Sequence, residues 1–253
     1  MSKLNYIRRL GAKAKKASED LSVLSENKKN AVLKSFYLNI KKNVNKILKA
    51  NKLDIISSKK NKLKDNLIDR SMLNKERIQS ILNSIEEVIS FKDPTHKIIA
   101  KWKRPNNLTI NRVTIPIGVL GVIYEARPNV TSDVAILSFK SGNSAILRGG
   151  KEALQSNIII SNLFRYGLKK NNINQDCIQL VNNTDRKIVD LMLSKMTDYI
   201  DIIIPRGGKS LVKKVLELSK VPTIGHLEGL CHVYLDNQYN YNTAEKLIIN
   251  SKL

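Results

Sequence analysis

The chain has 253 residues, 42% of them hydrophobic, and a formal net charge of +22. Such a length builds one large domain or two modest ones, and the apolar share excludes global disorder. No run approaches the roughly 18 apolar residues of a membrane helix, and the start MSKLNYIRRLGAKAKK lacks the apolar stretch of a secretory signal, so a cytoplasmic protein is expected.

The charge is uneven: residues 1–115 carry 27 Lys and Arg against 10 Asp and Glu. The excess is mostly lysine without interleaved aromatics, and Lys, Asn and Ile together are what A+T-rich codons favour. Solvated basic faces explain this better than nucleic acid, and no nucleic-acid partner is expected. Cys177 and Cys231 lie far apart in strand-like segments, so no disulfide framework is suggested. His96, His226 and His232 form no paired ligand spacing, and no metal site is expected.

In chain order, residues 3–20 read as a helix. Residues 25–50 read as a longer one behind Ser25 as N-cap, with Leu33, Tyr37, Ile40, Val44 and Leu48 at helical spacing. Residues 51–70 are polar and loop-like with short helical pieces, and residues 75–90 return to helical period through Ile78, Ile81, Leu82, Ile85 and Ile89. Residues 97–103 and 108–115 predict a β-hairpin around Arg104-Pro105-Asn106-Asn107. The apolar run 118–124 suits a buried parallel strand, where Gly118 and Gly121 permit close packing. From there strands and helices alternate: helix 131–140 with Gly142 past its end, strand 144–147, helix 152–169, strand 177–181, helix 185–195. Strand 199–204, helix 208–219, short strands 221–224 and 231–235, and a helix over 243–252 complete the pattern. The expected fold is α/β: a parallel sheet flanked by helices, with a helical amino-terminal segment and a hairpin.

Ligands bind such sheets beyond the carboxyl ends of the strands, which directs attention to three turns. At Arg127-Pro128-Asn129 a strand passes to a helix, and Asn129 either faces a developing oxyanion or caps the helix. At Arg148-Gly149-Gly150-Lys151 either two glycines admit a ligand between two cations, with free N–H groups of the helix behind offered to a phosphate, or the segment is a surface turn with ordinary basic residues. At Arg206-Gly207-Gly208-Lys209-Ser210 a nucleotide-triphosphate P-loop is excluded, because Ile203 stands where its first glycine is required. No GxGxxG occurs.

The stretches Arg112–Thr131, Lys140–Glu152, Tyr199–Gly208 and Gly225–Asp236, in that order, resemble signatures of the gamma-glutamyl phosphate reductases, within the aldehyde dehydrogenase superfamily. The resemblance implies NADPH-dependent reduction of gamma-glutamyl phosphate to glutamate-5-semialdehyde in proline biosynthesis. It implies Asn129 in the oxyanion hole, Arg148 beside the adenosine ribose with Gly149, Gly150 and Lys151 next to it, and Arg206, Gly207 and Gly208 beneath the nicotinamide end. An arginine at the ribose suits NADPH through its 2′-phosphate.

The family mechanism uses a cysteine thiolate that attacks the acyl phosphate. The motif preceding that cysteine begins at Ile249-Asn250-Ser251-Lys252, and the chain stops at Leu253 before reaching it. Cys231 falls in a strand motif and reads as a buried structural thiol, and Cys177 has no supporting residues. The resemblance thus divides the chain into residues 1–96, a helical part of the cofactor domain, an oligomerisation-type hairpin over 97–115, and an NADPH-binding core over 116–253, with the catalytic domain missing. It implies a homo-oligomer and glutamate 5-kinase as a candidate partner. An inactive cofactor-binding module is the alternative reading for the chain alone.

Overall fold

The computed structural model describes residues 2–225 and 231–252. Five helices come first: α1 (Lys3–Ser22), α2 (Glu26–Lys42), α3 (Val44–Lys60), α4 (Asp65–Ser71) and α5 (Lys75–Ser90). The strands β1 (Ile98–Lys103) and β2 (Thr109–Val113) pair antiparallel as the expected hairpin, Trp102 opposite Ile110. Then follow β3 (Val119–Tyr124), α6 (Pro128–Lys140), β4 (Ser144–Arg148), α7 (Leu154–Lys170), β5 (Ile178–Leu180) and α8 (Arg186–Lys195). Finally come β6 (Ile202–Arg206), α9 (Lys209–Leu218) and α10 (Tyr241–Lys252).

The four later strands form one parallel sheet in the order β5-β4-β3-β6. Strands β3, β4 and β5 step outward in one direction, and the chain then returns to place β6 on the other side of β3. That reversal is a topological switch point, where neighbouring turns diverge and leave a crevice.

Both sheet faces are covered. Leu120, Val122 and Tyr124 of β3 join Phe36, Phe139 and Phe164 in one core. Val119 and Ile123 point the other way and pack with Ile7, Ile188, Met192 and Val215. Strict alternation along one strand, apolar on both sides, is how a central parallel strand differs from a half-buried one. Gly121 lies in β3 directly against Ile200 and Ile203, while Gly118, just before the strand, has φ +126°.

Several boundaries depart from the sequence reading. The long helix expected over 25–50 breaks at Asn43, whose φ of −115° and ψ of 19° end α2 and open α3. The stretch over 51–70, expected to be loop-like with short helical pieces, is largely helix, the end of α3 and most of α4. Its buried face consists of Asn51, Asp54 and Ser58, so a hydrophobic period could not reveal it. Ser25 takes the N-cap position of α2 without a side-chain hydrogen bond.

The strand expected at 199–204 runs from Ile202 to Arg206 instead, and Pro205 is tolerated because β6 is an edge. Of the short strand expected at 221–224, one parallel bridge remains, Ile203 to Thr223. No strand forms at 231–235, and Cys231 is exposed, which corrects its reading as a buried thiol. His226, Glu228 and Gly229 of the fourth motif lie outside the described residues.

Candidate functional site

All three turns leave the same edge of the sheet. Register places Ile123 beside Arg148 and Tyr124 beside Arg206, so the chain emerges from β3, β4 and β6 at one level. The β3 turn is stitched to the β6 turn by two hydrogen bonds. The Glu125 N–H donates to the Arg206 carbonyl at 3.1 Å, and the Gly208 N–H donates to Glu125 Oε2 at 2.8 Å. On the other side, a Cβ on Gly150 would stand 3.1 Å from the Ala126 nitrogen. Glu125–Ala126 is thus the seam at which the three turns meet.

The two glycine turns share the tetrapeptide Arg-Gly-Gly-Lys, but their surroundings differ. Gly149 is buried against the Tyr124 ring, which a Cβ would meet at 3.0 Å. Tyr124 is itself buried, with its hydroxyl 2.7 Å from Thr131 Oγ1, which donates to Asn157 Oδ1 at 2.8 Å. Burial pushes the Tyr124 hydroxyl well above its ordinary pKa, so it stays neutral. Arg148 is 7% exposed. It donates to the carbonyls of Gly149 and of Thr184, the latter at 3.1 Å, and its Nε is buried without a partner among the described residues. Burial draws its pKa down, against the pull of Glu152 and Tyr124.

The expectation of free N–H groups at the start of α7 is corrected. Asp54 accepts from the Gln155 and Ser156 N–H groups at 3.0 and 2.8 Å, and from the Ser156 hydroxyl at 2.7 Å. Asn51 fastens α3 to the same place, donating to Ser156 Oγ at 3.1 Å and to the Ser71 carbonyl at 2.7 Å. The α7 terminus is therefore satisfied from within the protein. By contrast, Arg206, Gly207 and Gly208 are exposed, Gly208 is the N-cap of α9, and the only carboxylate at this turn among the described residues is Glu125.

Between the Arg148–Lys151 turn and the first turns of α8 and α9 lies a crevice of about 360 Å³, within the range of small-molecule sites, while Arg206, Gly207 and Gly208 line a neighbouring cavity of about 200 Å³. Tyr124, Arg148, Lys151, Arg186, Ser210 and Lys214 are among the walls of the crevice. Arg186, exposed at the start of α8, has no ion pair among the described residues, whereas Lys214 pairs with Asp190 at 2.6 Å. Arg186 and Lys214 were missed in the sequence, and Ser210 was singled out only as the end of the third turn. The turn before Arg186 follows β5 at the same carboxyl edge, but it has no glycine to draw attention to it.

Asn129 lies in the first turn of α6, whose N-cap is Arg127, so the capping alternative is removed. Its Nδ2 donates instead to Asp133 Oδ2 at 3.0 Å. Burial raises the Asp133 carboxyl above its usual pKa, and the bond from Asn129 opposes that. Asn129, Asp133 and Arg127 face a second cavity of about 310 Å³ toward α4 and α5. Of the two cysteines, Cys177 is buried beside β5, and its thiol is pushed up to about 12 by burial and by Asp20 and Asp176. Among the described residues no group of three His, Cys, Asp or Glu side chains could hold a metal, and no helix is long and apolar enough to cross a membrane.

The switch-point sheet with its converging turns defines an aldehyde-dehydrogenase-like α/β protein. A probable aldehyde dehydrogenase from Listeria monocytogenes shares this fold at TM-score 0.66 and 17% identity, over 88% of this chain and 46% of that one. So does the glyceraldehyde-3-phosphate dehydrogenase of Methanocaldococcus jannaschii complexed with NADP, at TM-score 0.66 and 15% identity, over 89% of this chain and 46% of that one.

Nearer similarity is more specific. The gamma-glutamyl phosphate reductase of Clostridium tetani is 42% identical over 253 residues, which is 100% of this chain and 59% of that protein. The gamma-glutamyl phosphate reductase structure from Thermotoga maritima matches at TM-score 0.92 and 35% identity, over 98% of this chain and 59% of the other. No protein-family model matches the chain. The chain is related, along essentially its whole length, to the amino-terminal portion of gamma-glutamyl phosphate reductases, and spans a little under three fifths of the length of these two relatives.

Proposed function

We propose that this chain is the NADPH-binding part of a reductase that converts gamma-glutamyl phosphate to glutamate-5-semialdehyde in proline biosynthesis. The observation that carries the reading is that three turns, two of them Arg-Gly-Gly-Lys, leave one edge of the sheet at one level, with a crevice rich in cations between the Arg148 turn and the start of α9. Arg148, Gly149, Gly150 and Lys151 hold the adenosine end, with Arg186 as a further cation for a 2′-phosphate. Arg206, Gly207 and Gly208 carry the nicotinamide end, where a ligand meets the exposed start of α9. When bound, NADPH supplies the hydride.

Asn129 has two Nδ2 protons, of which one goes to Asp133. The other is left for an acyl oxygen that gains negative charge during attack. The attacking thiolate comes from neither cysteine of this chain. Cys177 is locked in the core with a raised pKa, which suppresses the thiolate. Cys231 stands in an exposed segment after β6 and α9, outside the lining of either cavity. The chain alone is therefore a cofactor-binding unit without turnover. Residues 1–96 belong to that unit, since α1 packs against the sheet and α3 anchors α7. Ile98, Ile99 and Trp102 are exposed on the hairpin, which supports its use as a subunit contact over 97–115.

Two assays test this reading. NADPH is expected to raise the unfolding temperature of the chain, as any ligand that binds only the folded state must. No NADPH oxidation is expected when gamma-glutamyl phosphate is supplied. Absence of a shift at millimolar NADPH, or turnover that Cys231→Ser abolishes, would contradict it.

A further inference from the structure

The second cavity holds a set of groups that do not line the crevice of Arg148. Its floor is apolar, with Leu73 and Ile81. Around it stand Arg70 from the end of α4, Arg127 from the β3 turn, and Asn129 and Asp133 from α6. A third arginine, Arg77, is already committed: it donates to the Met72 carbonyl at 2.8 Å and pairs with Asp69 at 3.0 Å. Arg70 and Arg127 are different, because neither side chain has a hydrogen bond or ion pair among the described residues. Both also reach the neighbouring space at the Arg206–Gly208 turn. Asp133 accepts a neutral amide from Asn129 and has no cationic partner among the described residues.

We propose that this cavity reads the amino-acid end of the substrate: Asp133 receives an α-ammonium group, Arg70 and Arg127 receive the two anionic groups, and Leu73 and Ile81 face the methylenes between them. The proposal rests on the placement of Asn129 at the reacting acyl carbon. One turn of α6 separates Asn129 from Asp133, so a single helix face would hold the oxyanion donor and the ammonium acceptor in fixed relation. Two unpaired arginines opposite one carboxylate match a ligand with two anionic groups and one ammonium. Burial that raises the Asp133 pKa has the same sense: the carboxylate lacks the counter-ion that an ammonium would bring. A volume of about 310 Å³ accommodates a small amino-acid derivative and excludes a peptide.

The test is calorimetric titration of the 253-residue chain with three probes, L-glutamate, glutarate (which lacks the ammonium) and 4-aminobutyrate (which lacks the α-carboxylate). L-Glutamate is expected to bind at least about tenfold more tightly than either. Asp133→Asn keeps an acceptor for Asn129 but loses the charge, and it should erase the preference over glutarate. Arg70→Ala should erase the preference over 4-aminobutyrate. Equal affinity for L-glutamate and glutarate in the parent chain, an unchanged preference in Asp133→Asn, or no binding of any probe would overturn the proposal. A parallel NADP+ titration separates the two readings, because Asp133 does not line the cofactor crevice. A chain that binds L-glutamate but not NADP+ sinks the cofactor assignment alone; one that binds NADP+ but does not distinguish the probes sinks this one.

Discussion

The two Arg-Gly-Gly-Lys turns begin alike in sequence and end in opposite environments. Behind Arg148-Gly149-Gly150-Lys151 stands a polar cluster that includes Asp54, Asn51, Ser156, Asn157 and Tyr124, all buried. Behind Arg206-Gly207-Gly208-Lys209 the described residues place an exposed carboxylate, Glu125. One turn is therefore braced from behind, and the other is an exposed surface. A tetrapeptide specifies that backbone can approach closely; the elements packed behind it decide how firmly it is held.

The contrast can be broken by exchanging the supports. Asp54→Ala orphans two N–H groups and a hydroxyl in a buried site, and should lower unfolding free energy by about 2–4 kcal/mol in a urea titration. Next in size, Arg148→Ala leaves the Gly149 and Thr184 carbonyls without their donor, at a cost of about 1–3 kcal/mol. The matching changes in the other turn, Glu125→Ala and Arg206→Ala, should each stay under about 1 kcal/mol, because their groups are exposed. If Glu125→Ala proves as damaging as Asp54→Ala, the distinction between braced turn and exposed surface is wrong.

Titration sharpens the same contrast. Burial lifts the Asp54 pKa, although the Ser156 hydroxyl and the N–H groups of Ser156 and Gln155 pull it down. A folded-state pKa above the unfolded one favours the folded protein while the group is protonated. That contribution is complete below the unfolded value and is lost as pH rises through the folded one. Relative to Asp54→Asn, the parent chain should therefore lose stability as pH climbs from about 4 toward neutrality. Unfolding curves that shift in parallel at every pH would exclude this role.

Much of this was legible in the sequence, and the gaps have physical causes. The hairpin, the buried strand over 119–124 and the helix–strand alternation follow from periodicity and turn residues. The second half of α3 was hidden because its buried positions are polar: Asn51 and Asp54 read as loop residues until α7 is seen against them. The glycine turns were visible as places where backbone can approach closely, but a satisfied helix start cannot be told from an open one without the partner, which lies about a hundred residues away in Asp54. Arg70 and Asp133 were passed over for a related reason. Each is an ordinary charged residue on an ordinary helix, and only packing places them in one cavity.

Hydrogen–deuterium exchange of the chain with and without NADP+ tests the convergence most directly. The account predicts that the cofactor slows exchange together at residues 124–129, 148–152 and 206–210. Protection confined to one of these segments, or to none, would contradict it.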